Sequence, residues 1–269
     1  MQLIDGNNFI SHHLKNQIPT AVGKIGITEL NLIQCCMQRH YPKNIIDDAT
    51  NIAGIYPQEI FDQFVQSYTK DLMSLNAMAI WNKVLPNLEL KICQKIQAHP
   101  IQLTDIEPYF HELPWSKYLE NKKVLVISPF VESIIKQYQI KDKLWNRPIL
   151  PNFELITIKY PHAKTTDPNS RYQSTFEAIA ATKNKMDTVD YDVALIGTGG
   201  SSIPLTIYAK QKNKIGIHMG GPLQILFGIR GARWDAIQSF QKFFNEYWIR
   251  PSMDEIPPKK ELVEGGCYW

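Results

Sequence analysis

The sequence predicts an α/β protein, a Rossmann-like parallel sheet flanked by helices, on three observations. Short apolar runs of strand length alternate with helical patterns through the second half of the chain, as in a parallel sheet with crossover helices. Two of these runs end in glycine-rich turns, Gly197-Thr198-Gly199-Gly200-Ser201-Ser202 and His218-Met219-Gly220-Gly221, at the strand ends where such sheets bind ligands. A chain of 269 residues with 44% hydrophobic and 20% charged side chains can also bury a substantial core.

The elements follow in order. Ala21 to Gly26 reads as a short strand ending in glycine, and Thr28 as the N-cap of a helix from Glu29 to Arg39. A polar connection covers Tyr41 to Thr50. Pro57 opens a second helix whose Phe61, Phe64, Val65, Tyr68 and Leu72 keep the helical period. Ala77 to Trp81 reads as a buried strand or a helix end, and Leu85 to Trp115 as irregular and proline-rich. Lys123 to Ser128 is a strand, followed by a helix to Tyr138. Phe153 to Lys159 is another strand, followed by a polar loop from Tyr160 to Asn169 and an amphipathic helix from Arg171 to Met186. Tyr191 to Ile196 is a strand, Ile203 to Gln211 a helix and Ile215 to His218 a strand. Leu223 to Phe227 leads on to a final helix from Asp235 to Trp248. The aromatic end Cys267-Tyr268-Trp269 is expected to pack back on the body. The chain thus reads as one α/β unit, 1–269, with a helical N-terminal part (1–120), a nucleotide-binding-type part (121–250) and a packed tail (251–269).

Composition excludes several classes. No apolar run approaches the roughly 20 residues of a membrane span, and the N-terminus has no signal-peptide pattern. Cys35, Cys36, Cys93 and Cys267 have no zinc spacing and read as reduced thiols, which points to the cytoplasm. A net charge of +3 without a basic stripe argues against nucleic acid.

The strand Asp192 to Ile196 and its glycine turn carry the strongest chemical signal. Glycines let the backbone approach a ligand, and the free N–H groups of a helix start favour a diphosphate. Ser201 and Ser202 are placed to cap that helix or to meet phosphate. A dehydrogenase fits poorly, because Ser202 replaces the third fingerprint glycine and His218 stands where a ribose-binding acid belongs. The serines lie outside any Gly-x-Ser-x-Gly elbow, which removes the hydrolase of that type. Parallel neighbouring strands would bring the two glycine turns to one crevice, with His218 as a structural residue or a ligand contact. Arg230 and Arg233 place two guanidinium forks on a loop next to Trp234, and such forks match phosphate oxygens. Glu29, in the first turn of its helix, is a dipole partner, a metal ligand or a base. His162 and Lys164 sit in a loop that reads as a lid.

Taken together, Lys24-Ile25-Gly26-Ile27-Thr28-Glu29, the late strand–glycine turn–helix unit and Ile215-Gly216-Ile217-His218-Met219-Gly220 resemble the GT-D-type glycosyltransferases. The match covers both ends of the chain and leaves residues 41–121 unmatched. The ending Val263-Glu264-Gly265-Gly266-Cys267-Tyr268-Trp269 is similar to those of uncharacterised proteins of polysaccharide gene clusters. The resemblance implies a nucleoside diphosphate sugar as donor and a glycan or saccharide hydroxyl as acceptor. It implies Glu29 as base or as ligand to manganese or magnesium, and Arg230 and Arg233 on the leaving diphosphate. Gly26, Thr28, Ser128, Gly197, Thr198, Gly199, Gly200, Ser201, His218, Gly220 and Gly221 would hold the nucleotide sugar. A homo-oligomer is among the expected partners. Ile27 stands where the family carries an Asp, so a single carboxylate is left for a cation that prefers a pair. That departure keeps open a second function, a non-catalytic nucleotide-binding or assembly protein on the same fold.

Overall fold

Among the described residues every strand of the sheet is hydrogen-bonded in parallel to its neighbours, which leaves both faces of the sheet to be covered by helices. A computed structural model describes residues 2–82 and 86–269. Leu85, where the irregular proline-rich stretch was expected to begin, lies outside the described residues. The strands are β1 (Thr20–Lys24), β2 (Ala77–Ala79), β3 (His99–Ile101), β4 (Lys123–Ser128), β5 (Glu154–Lys159), β6 (Val193–Ile196) and β7 (Ile215–His218). They form one seven-stranded sheet in the order β3-β2-β1-β7-β6-β4-β5. The fold is the expected Rossmann-like α/β arrangement. Residues 1–120, expected to be helical, also supply the three strands β1 to β3 of this sheet.

The central strands are buried on both sides, and period-two alternation assigns their side chains. Val124, Val126, Val193, Leu195, Ile215 and Ile217 enter the core on one face. Leu125, Ile127, Ala194 and Ile196 enter the core on the other. Over that second face runs the helix Ser202–Gln211, which packs on β1, β6 and β7 and is buried nearly all round. At Gly216 this helix passes so close that an added Cβ would lie 2.4 Å from the Thr206 carbonyl oxygen. Phe61, Phe64, Val65, Tyr68 and Leu72 are all buried, as their period predicts.

Several boundaries differ from the sequence reading. The helix Gly6–Asn16 was not foreseen; Asp5 caps it by accepting from the Asn8 amide at 2.8 Å. The helix Ile27–Gln38 starts two residues earlier than expected, with Gly26 as its N-cap, so Thr28 is a buried first-turn residue and not the cap. Inside the stretch read as irregular lie the helix Pro86–Lys95 and β3. The second helix begins at Phe61, after a 3-10 turn, Gln58–Ile60, that follows Pro57. The long final helix is absent. Only Ala232–Asp235 and Gln238–Gln241 are helical there. Asn245 donates to the carbonyls of Lys143 and Leu144, and Trp248 Nε1 donates to the Leu144 carbonyl. Tertiary hydrogen bonds therefore replace the helical ladder while Phe240 and Trp248 stay buried.

The tail packs back, as its aromatic end predicts, and a buried carboxylate fastens it. Glu255 accepts from the amides of Glu132 (2.8 Å) and Ser133 (3.2 Å) at the start of the helix Val131–Tyr138, and from the Ser133 hydroxyl. A negative charge is favoured at a helix start. Glu255→Gln keeps the shape but turns one acceptor into a donor facing N–H groups. The expected loss is about 2–4 kcal/mol, read as a lower urea midpoint at unchanged slope.

Candidate functional site

The carboxyl ends of the strands open into a cavity of about 780 Å³. After β4 the chain moves outward to β5, and after β6 it moves the other way to β7. The cavity mouth thus includes the point where neighbouring connections diverge, the usual ligand position in an open α/β sheet. The two glycine turns meet there, since a methyl on Gly197 would lie 2.7 Å from the Gly220 carbonyl oxygen. Gly26, Thr28, Glu29, Ser128, Gly197, Thr198, Gly199, His218, Gly220, Gly221 and Arg233 all line it.

Gly200, Ser201 and Arg230 do not line it. Gly200 donates its amide to the Ala53 carbonyl at 2.8 Å. Gly199, at a positive φ of 62°, has room for no side chain, because a Cβ would lie 2.7 Å from that same oxygen. Ser201 Oγ accepts from the Tyr160 hydroxyl at 2.5 Å, and Ser202 Oγ accepts from the Thr198 amide at 3.0 Å. The glycines thus seat the turn against Ala53 and Ile55, while Ser201 ties it to Tyr160 and Ser202 closes it on Thr198. Arg230 is held outside the cavity by Asp235, which also receives Arg250, and it lies over the Phe244 ring. Arg233 faces the cavity but is paired with Glu264, and donates to the Tyr268 hydroxyl at 3.0 Å. The loop expected to act as a lid is tied down. His162 meets the Glu255 carbonyl through Nε2 at 3.0 Å, the Thr165 hydroxyl donates to the Thr50 carbonyl, and Lys164 turns to Gln173.

Three groups at the floor received no role from the sequence or fell in the unmatched middle. Lys24, at the end of β1, has its ammonium 5.1 Å from the Trp81 ring centroid. No carboxylate lies within ion-pair distance of it among the described residues. Burial lowers its pKa, against the opposing pull of Glu107, Glu29 and Glu89. Glu107, in the turns after β3, is buried and accepts from the Tyr109 hydroxyl at 3.2 Å. Burial pushes its carboxyl up to about 7. The third is Trp81, whose Nε1 donates to the Ile25 carbonyl and fixes the indole beside Lys24.

Glu29 turns back on the start of its own helix. A Cβ on Gly26 would lie 2.2 Å from Glu29 Oε2. Burial raises its pKa, while the hydrogen bond from its own backbone amide and the Lys24 charge oppose that shift. Manganese or magnesium, implied by the family resemblance, has no built donor set here. Among the described residues no three His, Cys, Asp or Glu are grouped to hold a metal ion, and Glu29 is committed to its helix. The donor set does not fit a resident divalent cation.

His218 sits beside Lys24 with its pKa lowered to about 3, first by burial and then by the Lys24 charge. The ring is thus neutral at physiological pH. Its Nδ1 has no hydrogen-bond partner among the described residues. The two shifts act on stability with opposite signs. His218 binds a proton only in the unfolded chain between about pH 6.5 and 3, so its contribution falls as the pH drops. Glu107 binds a proton only in the folded chain between its ordinary 4.5 and about 7, so its contribution falls as the pH rises. Removing one titration with His218→Asn or Glu107→Gln should change the slope of stability against pH by up to about 1.4 kcal/mol per unit, in opposite directions. Urea melts from pH 4.5 to 6.5 read both.

No family model, curated protein or solved structure matches this chain. No helix among the described residues is long and apolar enough to cross a membrane.

Proposed function

We propose that the chain is a glycosyltransferase that moves a sugar from a nucleoside diphosphate sugar to a glycan or saccharide hydroxyl. The observation that carries this reading is the Lys24 ammonium, which makes no ion pair among the described residues, at the floor of a cavity on the sheet's carboxyl edge. Arg233 lies near enough to lower the Lys24 pKa by repulsion. An anion between the two cations relieves that repulsion, and a diphosphate is the anion the resemblance implies. Lys24 and Arg233 therefore take the leaving-group role expected of Arg230 and Arg233. Aromatic walls, Trp81, Phe110, Phe240 and Trp269 among them, suit the faces of a base and a sugar.

The departure at Ile27, together with Glu29's engagement at its own helix, favours a second reading, a protein that binds the nucleotide without turning it over. One experiment addresses both. UDP-glucose, GDP-mannose and dTDP-glucose are screened by thermal shift with and without manganese, then assayed for diphosphate release in the presence of mixed glycosides. A ligand at about 100 times its dissociation constant adds roughly 2.7 kcal/mol, several degrees in melting temperature. A shift with turnover supports the enzyme, and a shift without turnover supports the binder. No shift at millimolar concentration removes the nucleotide site altogether.

A further inference from the structure

Among the described residues three side-chain carboxylates line the cavity, and two of them are already engaged. Glu264 is bound to the Arg233 guanidinium. Glu29 is folded onto Gly26 and its own helix start. Glu107, by contrast, has neither a cation within ion-pair distance nor a helix start to fold onto among the described residues, and the one hydrogen bond it accepts there, from Tyr109, falls on Oε2. Oε1 meets no donor among the described residues, and the residue, 4% exposed, lines the cavity. Its mounting is rigid. Arg147 holds the Tyr109 and His111 carbonyls, and the Tyr109 ring stacks on Trp145 at 5.4 Å.

We propose that Glu107 is the base of this cavity: its open oxygen takes the proton from the acceptor hydroxyl, while Glu29 serves to organise the helix start. The inference rests on the sugar-transfer reading and deepens it. In the step, the acceptor O–H proton passes to Glu107 Oε1, giving a carboxylic acid. An electron pair on the acceptor oxygen forms the new bond to the anomeric carbon. The bond from that carbon to the diphosphate oxygen breaks, and its electron pair leaves with the diphosphate toward Lys24 and Arg233. Glu107 returns its proton to solvent once the product has left. Direct displacement of this kind inverts the anomeric configuration.

The charges facing Glu107 fit the task. Lys24 on β1 favours its ionised form, and so does the Tyr109 hydrogen bond, while burial opposes ionisation and dominates. His218 on β7 stays neutral, and Arg233 is balanced by Glu264. A base that titrates close to the working pH combines availability with driving force.

The test uses the full chain in two measurements. Carbon-detected titration of glutamate-labelled protein should show one carboxyl with a midpoint near neutrality that is missing in Glu107→Gln. A protein with no carboxyl titrating above about pH 6 overturns the proposal, because an ordinary glutamate near 4.3 lacks this driving force. With UDP-glucose, GDP-mannose and dTDP-glucose as donors, Glu107→Gln should lose about a hundredfold or more in kcat with UDP affinity unchanged. It should also lose the acid limb of the wild-type pH profile, and Glu107→Asp should recover part of the rate. Glu29→Gln should keep most of its turnover and melt lower. Wild type active with Glu107→Gln equally active, or a product of retained configuration, overturns the assignment and leaves the sugar-transfer reading standing. A wild type that turns over none of the donors removes that reading, and the role of Glu107 in it falls as well.

Discussion

Gly216→Ala should lower the melting temperature by on the order of 6–10 °C, a loss of about 3 kcal/mol or more. The residue lies in a central strand, and its missing side chain is the gap through which the helix Ser202–Gln211 reaches the sheet. A methyl group there would sit 2.4 Å from the Thr206 oxygen and 3.1 Å from the Thr206 carbonyl carbon and Cα. Those are backbone atoms of a helix packed on three strands, so no side-chain rotation relieves the clash. The helix must lift, and Ile203 and Ile207 lose burial with it. Gly265→Ala is the control. Nothing lies within 4 Å of an added Cβ there, and only the strain of a positive φ remains, about 1 kcal/mol. Calorimetry of both variants separates packing from backbone strain. Equal, small losses would mean that the helix can move away from β7 at little cost.

Lys24→Met should show two effects of opposite sign. Methionine keeps an unbranched apolar stem and removes the ammonium, so nothing charged is left without a counter-ion between Trp81 and His218. The free protein should therefore become more stable by about 1 kcal/mol, since a partly buried charge without a partner costs free energy. Affinity for a nucleoside diphosphate should fall about ten- to a hundredfold, the worth of one charge-assisted contact of roughly 1.5–3 kcal/mol. The free nucleoside should bind as before. Arg233→Ala should cost less, because Arg233 already spends part of its charge on Glu264. Arg230→Ala should leave binding unchanged, because Asp235 holds it outside the cavity. Calorimetry with UDP and with uridine at fixed salt reads all three variants. Unchanged affinity for UDP in Lys24→Met would move the phosphate site elsewhere.

The sheet's second half was legible because its central strands are buried on both faces. Lys123 to Ser128 and Ile215 to His218 each hold an unbroken stretch without charge, Val124–Ile127 and Ile215–Ile217, and the observed bounds of β4 and β7 coincide with the expected ones. The meeting of the two glycine turns followed from the same parallel order. Residues between β1 and β4 were less legible. β2 and β3 are three residues each, too short for any period to register. Glu107 lies between the 3-10 turns Leu103–Ile106 and Pro108–Phe110, where no pattern repeats, and only long-range packing brings it within electrostatic reach of Lys24. The two arginines of the 230–233 loop look alike in sequence, yet their partners decide their fates. Asp235 draws one outward, and Glu264 and Tyr268 of the tail hold the other at the cavity. Phe240, Phe243, Phe244 and Trp248 keep a helical spacing without a helix, because spacing alone does not say which hydrogen bonds the backbone makes.

The wall formed by residues 51–54 is hung almost wholly by its backbone. The Ala53 carbonyl takes the Gly200 amide, the Gly54 carbonyl takes the Thr175 hydroxyl, and Tyr56 exchanges both of its main-chain groups with Thr175. Asn51 and Ile52 meanwhile line the cavity half-buried and belong to no core cluster, whereas Ala53 is packed in the core. Identity at 51 and 52 is therefore nearly decoupled from folding. Descendants of this chain can exchange residues there and alter which ligand is accepted while the scaffold persists. A library randomised at 51 and 52 should consequently keep most of its members folded and diverge in ligand preference, so selectivity can drift along this strip faster than along any strand of the sheet.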